Sequence, residues 1–247
     1  MYSKCGMVLK AHNVFDNLRV RDEVSWTSLI AGYAKHGLAN DALNCLEDMQ
    51  VKGVSPDALS WNALIAGYAH LGESESVFHV LDRMISENVR PSVDTLISVL
   101  TACSHAGLVS EGEIYFKEIR NNWGFILTPE HCTCMVDLLG RAGHIDKAIS
   151  LIKKMPFHPS AVVWHSLLGA CRKWGYVDLG RCAFEHVLQL DVKDGSAYIC
   201  MANIYTEAEM QDEAMRVETM GVENQASLKS RQHMTNISPQ CFAFLLE

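Results

Sequence analysis

The feature that most constrains this sequence is a stretch of thirteen residues that occurs twice. SWTSLIAGYAKHG begins at Ser25 and SWNALIAGYAHLG begins at Ser60, an offset of 35 residues with nine of the thirteen positions identical. Self-similarity at a fixed period of roughly 20–50 residues is typical of repeat proteins, in which each unit buries its apolar face on its neighbours. The sequence therefore predicts an array of small units.

One glycine recurs through the chain at intervals of 31, 35, 35, 36 and 32 residues. Each follows an apolar stretch about one helix long and precedes a second stretch with helical spacing, such as Ala42, Leu46 and Met49. Glycine ends helices because it tolerates the left-handed conformation. The predicted unit is helix, tight turn, helix, turn, and the predicted fold class is an all-α solenoid. The glycines are Gly6, Gly37, Gly72, Gly107, Gly143 and Gly175.

The residue before each unit also repeats, because it is always a good helix N-cap with a short side-chain oxygen. These residues are Asp22, Asp57, Ser92, Thr128, Ser160 and Asp194. They place the predicted units at 1–22 (the second half of a unit), 23–57, 58–92, 93–128, 129–160, 161–194 and a weaker unit at 195–220. In the last unit Glu209 stands where the glycine is expected, and residues 221–247 show no helical period.

The fourth, seventh and eighth positions of the units are predicted to form the core. The fourth position favours an anchor between helices over a base-stacking platform, because it is so regularly apolar; it is Trp26, Trp61, Leu96, Cys132, Trp164 and Tyr198. The seventh and eighth positions are Leu29 and Ile30, Leu64 and Ile65, Val99 and Leu100, Met135 and Val136, and Leu167 and Leu168.

The thirteenth position of every unit is a residue that is basic or can become so. The column is Lys4, Lys35, His70, His105, Arg141 and Lys173. A cation near a helix C-terminus is favoured by the helix macrodipole. A line of cations with one per repeat would also follow a phosphate backbone. The two interpretations are compatible, and the column is a candidate phosphate-contact stripe.

The fifth position varies while its surroundings repeat. It follows the aromatic anchor, so we expect it to point away from the core. A near-constant scaffold with one variable polar position suggests recognition of a ligand, and neutral drift at an exposed site is the alternative. The column is Thr27, Asn62, Ile97, Thr133, His165 and Ile199.

Composition limits the other function classes. The net charge of −8 argues weakly against nucleic acid, although one basic stripe can coexist with acidic outer faces. Nine irregularly spaced cysteines do not form a disulfide framework and fit buried thiols better, and Cys132-Thr133-Cys134 lacks the spacing of a zinc site. No apolar run reaches the roughly 18 residues that a membrane span needs. The opening MYSKCG resembles the middle of a helix pair, so we expect a longer array.

Several stretches strongly resemble the pentatricopeptide repeat (PPR) proteins of land plants. They include SWTSLIAGYAKHG, ACSHAGLVSEG, MVDLLGRAGHIDKAISLIKKMP and VWHSLLGACRKWGYVDLG. The mixed repeat lengths resemble the PLS class of that family. Residues 129–160 are similar to its last short repeat, and 161–194 and 195–220 to its E-type extension motifs. The resemblance implies a right-handed solenoid of PPR repeats.

The resemblance further implies binding of single-stranded RNA in mitochondria or chloroplasts, with one base recognised by the fifth and last residues of each repeat. Thr27 with Asp57 then implies guanine, and Asn62 with Ser92 a pyrimidine, cytosine over uracil. The remaining pairs are Ile97 with Thr128, whose apolar fifth residue implies no clear choice, Thr133 with Ser160, and His165 with Asp194 in the extension region. The last residue is also the N-cap, so helix capping alone could limit its identity.

Proteins with such extensions commonly take part in C-to-U editing, and some carry a cytidine deaminase domain. Deaminase chemistry needs His-x-Glu and Pro-Cys-x-x-Cys, and neither string occurs here. The chain is therefore expected to be no enzyme and to need no cofactor. Its expected partners are single-stranded RNA and a deaminase-bearing PPR protein or other editing factor acting in trans, with no membrane and no DNA.

The sequence leaves three functions open. The chain is an RNA-binding adaptor for editing, an RNA binder in stability, splicing or translation, or a scaffold that binds peptides in the manner of tetratricopeptide arrays. A peptide-binding scaffold would show no salt-dependent affinity for RNA.

Overall fold

The computed structural model describes residues 8–226, and these residues form thirteen α-helices and no strand. The helices are grouped in two compact units, one up to Ile126 and one from Leu127 onwards. None of the described helices combines the length and apolar character that crossing a membrane requires.

The first unit contains one single helix and three helix pairs. The helices are α1 (Val8–Asp16), α2 (Glu23–Lys35), α3 (Ala39–Val51), α4 (Ala58–Leu71), α5 (Ser74–Ser86), α6 (Val93–Ala106) and α7 (Val109–Asn121). Within each pair the two helices pack together, and the first helices α2, α4 and α6 also pack side by side. Because each repeat contributes one first helix to this row, the repeats stack as expected for an α-solenoid.

The second unit contains three further pairs. The helices are α8 (Pro129–Arg141), α9 (Ile145–Lys153), α10 (Ala161–Trp174), α11 (Val177–Leu190), α12 (Gly195–Glu207) and α13 (Gln211–Ala226). The first helices α8, α10 and α12 again form a row. Helix α13 continues to Ala226, so the prediction of an irregular tail from residue 221 is wrong for its first six residues. Residues 227–247 lie outside the described part.

The predicted helix ends are largely confirmed. The described members of the glycine column adopt positive φ angles of 70–82° after the first helix of each pair. Gly6 lies outside the described residues. Glu209 occupies the equivalent turn with φ 62°, so this glutamate adopts the conformation that glycine adopts elsewhere.

The N-cap prediction is confirmed at all but one described position. Asp22 and Asp57 accept hydrogen bonds from the backbone N–H of Ser25 and Ser60, at 2.9 and 2.8 Å. Ser92, Thr128 and Asp194 cap their helices in the same manner. The exception is Ser160, whose side chain makes no capping hydrogen bond although its backbone is extended.

The predicted core is confirmed. Every residue of the fourth-position column, and every residue of the seventh and eighth positions, is buried. Cys45, Cys103, Cys132, Cys171 and Cys182 are buried as well, which agrees with the interpretation as buried thiols. Burial raises the pKa of Cys45, Cys103 and Cys171 to about 12, so these thiols stay protonated near neutral pH.

Candidate functional site

The candidate site is built from the starts of the first helices, where the fifth residue of one repeat meets the end of the same repeat. About 30 residues separate the two positions in sequence. The last residue caps the next first helix, and this helix packs beside the first helix that carries the fifth residue. Side-by-side packing of first helices therefore brings the two positions together.

The pair in repeat 58–92 is in direct contact. The Asn62 side-chain N–H donates to the Ser92 hydroxyl at 2.8 Å. Thr95 on α6 donates its hydroxyl proton to the other end of the Asn62 amide. Asn62 and Ser92 are both half-buried, so part of this polar group faces solvent. The predicted partners thus form one hydrogen-bonded unit at the surface.

The pair in repeat 23–57 is joined through a third side chain. The hydroxyls of Thr27 and Ser60 lie 2.7 Å apart, and Ser60 donates to the Asp57 carboxylate at 2.7 Å. Thr27 is only 6% exposed. The expectation that the fifth column points away from the core is therefore wrong at Thr27, because α4 packs against this face of α2 and covers it with Ser60.

A second pair in direct contact lies in the unit 161–194. His165 Nε2 and Asp194 Oδ2 lie 2.6 Å apart, and both side chains are less than one third exposed. Burial raises the pKa of Asp194, but hydrogen bonds from Ser196, His165 and the Ala197 N–H outweigh it and bring the pKa down to about 2. The carboxylate is therefore held charged at its helix N-terminus at all physiological pH values.

Within the described residues, no hydrogen bond joins Thr133 to Ser160. The Thr133 hydroxyl turns back to the carbonyl of Pro129 at 2.8 Å, and Ser160 is exposed. Ile97 is half-buried on α6 in the first unit, and Thr128 caps α8 in the second unit, where its hydroxyl lies 3.0 Å from His131 Nδ1.

The predicted stripe lies at the other end of the same first helices. Lys35, His70, His105, Arg141 and Lys173 are all exposed and lie in the last turns of α2, α4, α6, α8 and α10. Lys4 lies outside the described residues. The helix macrodipole favours a cation at this position, which agrees with the first interpretation of the column.

Two residues of the stripe also contact the preceding repeat. The Lys173 ammonium donates to the carbonyl of Arg141 at 2.8 Å, and His105 Nδ1 lies 3.3 Å from the carbonyl of Ala69. Between α2 and α4, alanines and Gly67 line a shallow depression that Lys35 and His70 flank. The small side chains leave space between the two helices, and the Lys35 ammonium at its edge would attract an anionic group.

Ser60 and Thr95 are functional candidates that the sequence did not single out. Both occupy the third position of a repeat, and both are fully buried. The signal in the sequence was present, because the third residue is Ser25, Ser60 and Thr95 in three successive repeats. The third residue of one repeat contacts the fifth residue of the repeat before it. This contact depends on how adjacent first helices pack, which cannot be predicted from the repeat period alone.

The family models that match this chain all describe pentatricopeptide repeats. The model of the PPR repeat family matches residues 21–60, that of the pentatricopeptide repeat domain matches 44–106, and that of the PPR repeat matches 95–123 and 130–158. Together these matches include more than half of the chain.

Two relatives from Arabidopsis thaliana illustrate the similarity. The pentatricopeptide repeat-containing protein CRR2, chloroplastic, is 36% identical over 220 residues, which are 89% of this chain and 28% of the relative. A second relative, named as a mitochondrial pentatricopeptide repeat-containing protein, is 33% identical over 220 residues. These residues are 89% of this chain and 30% of the relative. The chain thus spans about a third or less of these relatives.

Solved structures show the same fold. The crystal structure of the pentatricopeptide repeat protein PPR10 from maize matches 90% of this chain and 33% of its own, with a TM-score of 0.70 at 19% identity. PPR10 in complex with an 18-nt psaJ RNA element matches 91% of this chain and 34% of its own, with a TM-score of 0.76 at 17% identity. These matches confirm the predicted all-α solenoid class. With its matched repeats and stacked helix pairs, the chain is a member of the pentatricopeptide repeat family.

Proposed function

We propose that the chain binds single-stranded RNA in a plant organelle and recognises sites for C-to-U editing. The observation that carries the RNA-binding part is the contact between fifth and last residues. Asn62 and Ser92 touch directly, and Thr27 and Asp57 are joined through Ser60. A polar group built from two such side chains can pair with the edge of a splayed base, as in other helical-repeat RNA binders.

The proposed base choices are those of the two complete pairs in the first unit. Thr27 with Asp57 would address guanine, and Asn62 with Ser92 the following pyrimidine. Thr133 with Ser160 and Ile97 with Thr128 have less support, since Thr133 bonds its own helix and Ile97 has no polar atom in its side chain. His165 with Asp194 is a polar pair in direct contact in the extension region.

The stripe is the proposed contact to the RNA backbone. Arg141 forms an ion pair with Asp137 at 2.9 Å, but the arginine side chain is 52% exposed. Exposed ion pairs contribute roughly 0–1 kcal/mol, so a phosphate can compete for this guanidinium. Within the described part of the chain, Lys35 has no ion-pair partner. Both cations are therefore available to an anionic strand.

Salt dependence tests this contact. For single strands, the slope of log K against log salt changes by about 0.7 for each phosphate contact. Replacing Lys35 and Arg141 together by Gln is expected to weaken binding of a randomised single-stranded RNA 20-mer at low salt and to flatten the slope by about 1.4.

The control variant removes the same charge elsewhere. Lys52 and Lys153 are exposed at the ends of the second helices α3 and α9. Their joint replacement by Gln is expected to leave the slope nearly unchanged. Equal effects of the two double variants would refute the stripe, and no retention of RNA by the unaltered chain at low salt would refute RNA binding and favour a peptide-binding scaffold.

The editing role is the finer part of the proposal, and it rests on the likeness of residues 161–220 to E-type extension motifs. We propose that the chain positions a deaminase supplied in trans. Neither the His-x-Glu nor the Pro-Cys-x-x-Cys motif of deaminase chemistry occurs in residues 1–247. The alternative is a role in organellar RNA stability, splicing or translation. Sequencing organellar transcripts from a line that lacks the protein separates the two. Loss of particular C-to-U events supports editing, whereas unchanged editing with altered transcript ends or splicing supports the alternative.

A further inference from the structure

The third residue of a repeat touches the base-recognition pair of the repeat before it. This occurs twice in the first unit. Ser60 lies between Thr27 and Asp57, and Thr95 lies between Asn62 and Ser92. Ser60 and Thr95 are both fully buried, so neither hydroxyl reaches a bound RNA directly. Any effect on recognition must pass through the pair.

At the first pair the direction of the hydrogen bonds follows from the groups present. A carboxylate only accepts, so the single Ser60 hydroxyl proton goes to Asp57. The Thr27 hydroxyl, 2.7 Å from the same Ser60 oxygen, must then donate its own proton to Ser60. Thr27 and Asp57 are left with lone pairs, and together they offer only acceptors to a ligand.

An all-acceptor pair suits guanine among the four bases. The Watson–Crick edge of guanine carries two adjacent donors, N1–H and the N2 amino group. The same edge of adenine carries one donor and one acceptor, and its acceptor would face a lone pair. Guanine over adenine therefore depends on the Thr27 proton being held inside the protein by Ser60.

At the second pair the two hydroxyls hold the two ends of one amide. Thr95 donates to the Asn62 carbonyl oxygen, and the Asn62 N–H donates to the Ser92 hydroxyl at 2.8 Å. Thr95 is fixed in turn by the Ser92 backbone N–H, which donates to its oxygen at 2.8 Å. Reversing the amide would require both hydroxyl protons to turn together. Without the Thr95 hydroxyl, the Ser92 hydroxyl could either donate to or accept from the Asn62 amide, so both orientations of the amide would be possible.

The orientation of this amide decides which pyrimidine it fits. Within the described part of the chain, Asn62 keeps one N–H and one carbonyl lone pair that its two partners do not use. Cytosine offers an acceptor at N3 beside a donor at N4, whereas uracil offers a donor at N3 beside an acceptor at O4. Reversal of the amide would therefore exchange the preference between cytosine and uracil.

We propose that Ser60 and Thr95 are positioning residues for base recognition, and that each sets the hydrogen-bond direction of the preceding pair and thereby its base discrimination. The inference rests on the proposed function. It adds a third residue to each recognition pair, with a separate effect at each of two neighbouring nucleotides.

The test compares the unaltered full chain with two variants, Thr95→Val and Ser60→Ala, each of which serves as the control for the other. The probes are fluorescent 12-nucleotide RNAs of adenosine in which the two central nucleotides are varied. Thr95→Val keeps the shape of the side chain and removes the hydroxyl, and Ser60→Ala removes the other hydroxyl. The probes carry central G-C, G-U and A-C, and binding is measured by polarisation at low salt. Thr95→Ser retains the hydroxyl and controls for packing.

The expected pattern is crossed. The ratio of Kd for G-U to Kd for G-C measures the preference for cytosine over uracil, and Thr95→Val lowers it about tenfold, toward one. The ratio of Kd for A-C to Kd for G-C measures the preference for guanine over adenine, and Thr95→Val leaves it as in the unaltered chain. Ser60→Ala lowers the ratio for A-C to G-C and leaves the ratio for G-U to G-C. Thr95→Ser behaves as the unaltered chain does. A merely structural role would weaken all probes alike and leave both ratios intact.

The contrary outcomes separate this inference from the proposed function. If the unaltered chain binds and discriminates but the variants keep both ratios, positioning is refuted and RNA recognition stands. If the chain binds all probes equally, there is no discrimination to position and the inference is again refuted, while RNA binding stands. If no probe binds at low salt, the proposed function fails and this inference fails with it.

Discussion

At the scale of single residues, a polar side chain at a repeat junction can have more than one role. Asp57 caps α4 through the Ser60 N–H and also accepts the Ser60 hydroxyl proton, so one carboxylate terminates a helix and orients a proposed recognition pair. Capping contributes roughly 0.5–2 kcal/mol to stability. The choice of Asp, Ser or Thr at the last position is therefore limited by folding as well as by any base preference.

Glu209 has a backbone conformation that disfavours any residue with a Cβ. Its φ of 62° lies in the left-handed region, where residues with a Cβ are disfavoured by roughly 1–2 kcal/mol. Replacing Glu209 by Gly is expected to stabilise the chain by about 0.5–1 kcal/mol, because the relief of strain exceeds the extra entropy of glycine in the unfolded state. Urea unfolding followed by circular dichroism measures the difference.

The neighbouring position provides the control for Glu209. Ala208 has a φ of −90°, where glycine has no conformational advantage. Ala208→Gly is expected to lower stability by up to about 1 kcal/mol. If Glu209→Gly is no more stable than the unaltered chain, the turn does not store the strain inferred from its backbone.

At the scale of helices, small residues set how closely adjacent first helices approach. A Cβ on Gly67 of α4 would lie 2.8 Å from the Ala34 Cβ of α2, and a Cβ on Gly140 of α8 would lie 2.7 Å from the Ala170 Cβ of α10. Real Cβ atoms do not approach so closely. Close packing of α4 on α2 is what places Ser60 against Thr27, so Gly67 supports the candidate site from a distance.

Gly67 and Gly169 give a matched test of this packing. Both lie inside first helices, but a Cβ on Gly169 would meet nothing within 4 Å. Gly67→Ala is expected to cost about 1–3 kcal/mol of overpacking, offset by a gain of about 1 kcal/mol in helix propensity. Gly169→Ala receives only the gain. Thermal unfolding should place the two variants on opposite sides of the unaltered chain, and equal stabilisation by both would contradict the close approach.

The features of the helices that could be predicted from the sequence are those with a local signal that recurs from repeat to repeat. The glycine turns, the N-caps and the buried fourth-position anchors such as Trp61 follow from period and residue type alone. The burial of Thr27 could not be predicted, because it depends on which face of α2 the neighbouring α4 covers. Helix α13 extends beyond its predicted end because Asn224 donates to the Tyr198 hydroxyl at 2.8 Å and Gly221 packs against the same ring, contacts that no local pattern indicates.

At the scale of the whole molecule, the chain combines an acidic total charge with a recurring lysine, arginine or histidine at the C-terminal end of its first helices. The net charge is −8, yet the described stripe residues at the last turns of α2, α4, α6, α8 and α10 are exposed. Neighbouring cations, such as Arg141 and Lys173 on the adjacent helices α8 and α10, can attract an anionic strand despite the opposite total. Charge at the stripe would supply affinity, and the polar pairs at the helix starts would supply specificity.

The central claim is that the fifth and last residues of a repeat choose the base, and copying one pair onto the next repeat tests it most directly. Asn62→Thr with Ser92→Asp reproduces the Thr27 and Asp57 pair in the second repeat, where Thr95 already supplies the third hydroxyl. Selection from a randomised single-stranded RNA pool, followed by sequencing, compares this variant with the unaltered chain. The expected result is guanine followed by a pyrimidine for the unaltered chain, and guanine followed by guanine for the variant. The same motif in both selections, or bound RNA without any enriched base, would contradict base recognition by these pairs.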